Sequence, residues 1–133
     1  MLDFLIDDKL VKFLVATLFG SLVFFSAVIA PTIFTILNQE NSRNLVRAIF
    51  PKLYLWGIII STLFLIQQIN NFNLSFFLSL TILLGFIFSR QFLMPKINKI
   101  SDKKDKVRFK KLHTLSVTIF LSQLIIMLII IFY

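Results

Sequence analysis

The residues able to do chemistry are few, and they gather at one depth of the chain. His113 is the only histidine. Metal sites built from protein take several ligands, so one histidine does not make one. It can still serve as an axial ligand to haem, or move a proton near neutral pH. Arg90 interrupts a long apolar run. A cation in that position either extends its head to the interface or meets an anion. Its available partners are Glu40, His113 and an anionic lipid or solute. Glu40 is the only acid between the first and second apolar runs, and it can also offset Arg43 on its own helix. His113, Ser116, Phe120, Gln123 and Met127 recur at spacings of three and four, which places them on one helical face. His113, Ser116, Arg90 and Glu40 therefore describe a polar pocket at one end of a bundle. A small anion, a metal complex or a lipid headgroup would suit it.

Absences narrow the chemistry further. The chain has no cysteine, which excludes disulfides and thiolate metal sites. No Ser-His-Asp, phosphate-loop or zinc motif is present. No Asp or Glu falls within any apolar run. Proton-coupled exporters of similar length depend on such an embedded acid, so that class is disfavoured. The expectation is a non-enzymatic protein with no cofactor. The alternatives are a tetrapyrrole-binding membrane oxidoreductase with His113 as axial ligand, and an assembly subunit of a larger membrane complex.

These residues are positioned by four apolar stretches. Of 133 residues, 58% are hydrophobic and 15% charged, with a mean hydropathy of +0.92. A soluble domain of this size has too little polar surface to cover so much apolar area. Runs of about 20 apolar residues cross a bilayer as helices. Spans are expected at about 10–37, 51–69, 74–94 and 112–133, in a single all-α domain, an integral membrane four-helix bundle. Asp3, Asp7 and Asp8 precede the first run, where a cleaved signal would carry positive charge, so it reads as a retained span. The pI of about 10.1 does not indicate nucleic acid, because the basic residues flank the spans. Segments 38–52 and 95–111 hold most of the lysines and arginines. The positive-inside rule puts both in the cytoplasm and both termini outside. Tyr54 and Trp56 then form an inner aromatic belt, and Tyr133 an outer one.

The connections are distinct in kind. Asn70–Asn73 reads as a tight turn joining spans two and three. Asn41 or Ser42 can cap a short interfacial helix reaching Phe50, with Arg43, Asn44 and Arg47 pointing away from its apolar face. Pro51 starts or kinks the second span. Ser101-Asp102 can cap an extended basic approach to the fourth. That approach, residues 96–111, carries eight positive charges against Asp102 and Asp105, and suits anionic lipid. Small and polar residues should line the helix contacts: Ala16, Gly20 and Ala27; Gly57, Ser61 and Gln68; Ser75, Ser79, Gly85 and Ser89. A homo-oligomer or a membrane-protein partner is the expected assembly.

Three patches carry a resemblance. Gly20, Phe24, Pro31, Phe34 and Leu37 form the first. Phe50, Pro51, Tyr54 and Gly57 form the second. Arg90 with Pro95, then Phe109, His113 and Ser116, form the third. In this order the chain resembles the transmembrane-protein-205-like family, whose bacterial members are of the domain-of-unknown-function 4149 type. The resemblance implies a bacterial inner-membrane location and weight on His113, Arg90 and Pro51, but no activity. Phe120 stands where the family tends to place an asparagine, and Met94 where an acid often precedes the proline. A looser likeness runs to copper-resistance-D-like proteins and to four-helix haem-binding protoporphyrinogen oxidases. Both groups carry an early histidine that this chain lacks.

Overall fold

The computed structural model describes residues 8–133, so Asp3 and Asp7 lie outside the described residues. Four helices account for nearly all of it: α1 Asp8–Ile36, α2 Gln39–Ile66, α3 Leu74–Asp102 and α4 Lys106–Phe132. There are no strands among the described residues. Each helix is long and apolar enough to span a membrane. This is an integral membrane four-helix bundle, as the apolar runs require. Lipid leaves backbone polar groups no partner except the helix itself.

The helices run up and down in sequence order. α2 packs on both α1 and α3, and α4 closes the ring against α3 and α1. The core is a column of Val15, Leu18, Leu22, Phe64, Ile82, Phe86 and Met127, all fully or nearly fully buried. Outward residues such as Phe13, Phe77, Leu84 and Ile125 are exposed, as suits a surface solvated by lipid.

Helix starts follow capping chemistry, at positions slightly different from those expected. Asn38, rather than Asn41 or Ser42, caps α2 by accepting the Asn41 N–H at 2.8 Å. Ser42 instead donates to the carbonyl of Leu37 and to that of Ile33, which also accepts the Leu37 N–H at the end of α1. Asn73 caps α3 through Phe76, and Asp105 caps α4 through Arg108. The residues before Phe50 are helical as expected, but they run without a break through Pro51 into the second span. The basic segment is not extended either. Met94–Asp102 continues α3, and only Lys103–Asp105 connects it to α4. Lys104 makes that reversal with φ 55°, the left-handed conformation that often ends a helix.

α1 and α3 share an unusual device. Each contains one wide π turn, Phe25–Ile29 in α1 and Ser89–Leu93 in α3. The closing bonds run from Ala30 N–H to Phe25 O and from Met94 N–H to Ser89 O. In both helices a proline follows the turn, Pro31 and Pro95. A proline has no N–H, and its ring crowds the carbonyl four residues back. Widening the preceding turn moves that carbonyl away. In α1 the Thr32 hydroxyl also donates to Val28 O at 2.6 Å.

Candidate functional site

Arg90 lies on the wide turn of α3, about 24 Å along the helix from Leu74. Its Nε donates to the Pro51 carbonyl of α2 at 3.0 Å. A carbonyl oxygen has two lone pairs, so it can accept a second donor beside its helical one. One guanidinium Nη donates to Gln91 Oε1 at 3.3 Å. Arg90 is half-buried, and no carboxylate pairs with it among the described residues. Two residues singled out in the sequence, Arg90 and Pro51, are thus joined directly. Glu40 is not part of this cluster. It lies exposed in the first turn of α2, near the positive end of that helix.

Tyr54 sits one turn beyond Pro51. It does not face the membrane interface as a belt residue would. At 3% exposure it is inside the bundle. The reason is a chain of rings across three helices: Phe25 of α1 meets Phe50 edge-on at 5.5 Å, Phe50 meets Tyr54 at 5.8 Å, and Tyr54 meets Phe86 of α3 at 6.3 Å. Such contacts favour enclosure of the ring beyond its buried area alone. The Ser116 side chain of α4 lies beside the Tyr54 hydroxyl. Arg90, Pro51, Tyr54 and Ser116 together place polar atoms from α2, α3 and α4 at one end of the bundle.

His113 stands one turn before Ser116 but is exposed, with its ring stacked on Phe109 at 5.7 Å and 6°. The inward stripe of α4 therefore runs through Leu112 and Ser116, not through His113. It continues to Gln123, which is buried at 3% and donates to the Ile82 carbonyl at 2.9 Å. Gly85 makes room for that amide: a Cβ there would lie 2.6 Å from Gln123 Nε2. Gly57 similarly admits the Phe86 ring, which a Cβ would meet at 2.7 Å. Gln68 adds a second buried amide, donating to Phe64 O and Ser79 Oγ, both at 2.8 Å. These glycines and amides occupy the inward faces expected of α2, α3 and α4.

α1 differs. Ala16, Gly20 and Ala27 are exposed, and nothing lies within 4 Å of a Cβ added at Gly20. The inward face of α1 is instead Val11, Val15, Leu18 and Leu22, large residues at the same helical spacing. The expectation that its small residues face the bundle is corrected on that ground.

Sequence reasoning missed one cross-helix link. Arg47 does not point away. It reaches α3, donating to Asn98 O at 3.1 Å and to Asp102 Oδ1 at 2.7 Å. That guanidinium holds the exposed Asp102 carboxyl, at the far end of α3, below its usual range. Opposite charges on separate helices carry no periodic signal that would announce the pairing. Among the described residues, no group of three or more His, Cys, Asp or Glu is arranged to hold a metal ion.

A family model described as "Domain of unknown function (DUF4149)" matches residues 13–106, well over half of the chain. The chain belongs to this DUF4149 family. No curated protein and no solved structure matches it. The DUF4149 match covers most of α1, all of α2 and α3, and the turn into α4. It thus includes Pro51, Tyr54 and Arg90, while His113, Ser116 and Gln123 lie beyond it.

Proposed function

We propose that this DUF4149 member is a non-enzymatic membrane protein whose Arg90 site receives a small anionic group. The observation that carries the proposal is Arg90 itself. It is a cation within an apolar helix, fixed by a main-chain carbonyl, with no carboxylate partner among the described residues. An ionisable group at membrane depth is costly without compensation, and it marks a functional site by default. Pro51 O and Gln91 aim the guanidinium, and the remaining Nη donors are the ones an anion would engage. Tyr54 and Ser116 add hydroxyls toward the same end of the bundle. Glu40 and His113, exposed on other faces, stand outside this reading.

The further setting is proposed with it. The basic segments 38–52 and 95–111 face the cytoplasm of a bacterial inner membrane, and both termini lie outside, following the positive-inside rule. Membership of the DUF4149 family agrees with a membrane setting and names no ligand.

The test uses purified protein in mild detergent, titrated separately with inorganic phosphate and chloride while the thermal midpoint and Trp56 fluorescence are read. The expected result is saturable stabilisation by at least one of them, abolished in Arg90→Gln and partly kept in Arg90→Lys. Equal stabilisation of wild type and Arg90→Gln, or none of either, would refute the assignment.

A further inference from the structure

The other concentration of charge lies where α3 turns into α4. Residues 96–111 hold eight lysines and arginines and two acids, Asp102 and Asp105. Both acids are already committed. Asp102 pairs with Arg47 of α2 at 2.7 Å, and Asp105 caps α4 by accepting from Arg108 N–H at 3.2 Å. None of the lysines in the segment has an acidic partner among the described residues. The positive charge is therefore not neutralised within this part of the protein.

Packing leaves the start of α4 open. α4 packs on α1 along Asp8–Phe24, while the later Ala30–Ile36 part of α1 packs on α2. The first turns of α4 are correspondingly bare: Lys106 through Lys111 are all exposed, as are His113 and Thr114. Lys106, Val107, Lys110, Lys111 and Thr114 line a shallow, open hollow of about 560 Å³. Its lining is mostly apolar, from the lysine stems and the side chain of Val107, itself 66% exposed. Just beyond, Leu115 and Val117 continue outward as an exposed apolar surface.

We propose that the opening of α4 is a docking surface for the headgroup of an anionic phospholipid, held by Lys106, Lys110 and Lys111. Charge complementarity selects the occupant. Three ammonium groups facing the solvent suit a phosphodiester, and the apolar surface that follows on the same helix suits the attached acyl chains. A free anion would use the first feature and have no use for the second. The surface is separate from Arg90, which lies deeper on α3 and is fixed to α2.

Native mass spectrometry of the full chain in detergent tests this, with added phosphatidylglycerol or phosphatidylcholine of matched acyl chains. The wild type is expected to retain phosphatidylglycerol in preference. K106Q/K110Q/K111Q should lose retention by about fivefold per lysine at low salt, since each basic residue near the surface contributes about that factor. K96Q/K99Q removes two exposed lysines of α3 instead and should change retention little. R90Q should leave it intact, which keeps failure here distinct from failure of the anion site. Helix content and thermal midpoint confirm folding of each variant, and single K110Q serves if the triple variant does not fold. Equal retention of the two lipids, no loss in the lysine variants, the same loss in K96Q/K99Q, or displacement of lipid by inorganic phosphate would each overturn the proposal.

Discussion

Around the Asn70–Asn73 turn, the polar ties inside the bundle are buried neutral amides; toward the basic end they are guanidinium groups that cross from one helix to the next. In the first half, Gln68 bonds Ser79 on the neighbouring helix, both buried, and α1 and α4 pack side by side. In the second, Arg90 bonds a proline carbonyl, both π turns occur, and the start of α4 has little cover. The difference teaches what kind of contact holds each half. Buried amides between helices hold the first. Guanidinium tethers and the chain of rings from Phe25 to Phe86 hold the second.

The largest effect should come from Gly57. A methyl group there meets the fully buried Phe86 ring at 2.7 Å, and the ring is boxed in by Tyr54. Gly57→Ala should destabilise by about 3 kcal/mol, the upper part of the overpacking range, seen as a lowered thermal midpoint in mild detergent. A midpoint equal to wild type would remove the claim of a close fit. Arg90→Gln comes next. Losing a charged donor from the Pro51 carbonyl should cost about 2 kcal/mol, and Arg90→Lys less. Cross-linking between cysteines placed on α2 and α3 near these residues would show whether the basic end opens while the other end stays closed. Gln123→Ala should cost about 1 kcal/mol, typical of an interhelical hydrogen bond in a membrane.

Acid should then loosen only the basic end. The folded protein lowers the Asp102 pKa through Arg47, so the pairing contributes stability above the ordinary carboxylate range. That contribution fades as the pH falls through the lowered value. Asp102 is exposed, so the effect should be small, and it should vanish in Asp102→Asn. A low-pH midpoint shift of the same size in Asp102→Asn would assign it elsewhere. The smallest change belongs to Gly20→Ala. Open space around that position predicts no loss, and a slight gain from helix propensity.

Much of this architecture is legible in the sequence, for definite reasons. Apolar run length sets the four helices, since a membrane offers few alternatives. Gly57, Ser61, Gln68, Ser79, Gly85 and Gln123 declare their inward faces by being small or polar among large apolar residues. The same rule misleads for α1, because packing in lipid can also be done by interlocking Val15, Leu18 and Leu22. Tyr54 reads as a belt residue from its place near the end of a span, yet two neighbouring rings, Phe50 and Phe86, draw it inside. The Arg90–Pro51 contact joins residues 39 apart. Composition flags each of them singly, but only the packing of α2 against α3 brings them together.

The π turns have one more consequence. A π turn holds one residue more than the α-helix around it, and one residue of helix is about 100° of rotation. Deleting a single residue from Phe25–Ile29 or from Ser89–Leu93 would leave each helix continuous. Everything after the deletion would keep its direction, because the wide turn already uses five residues on the arc that about four cover in an α-helix. Ser42's acceptors Ile33 and Leu37, and the Asn98 and Asp102 atoms that meet Arg47, would stay where they are. What the deletion would remove is the room that each wide turn gives the proline after it, so the two turns absorb a residue each without changing the aim of the helix end.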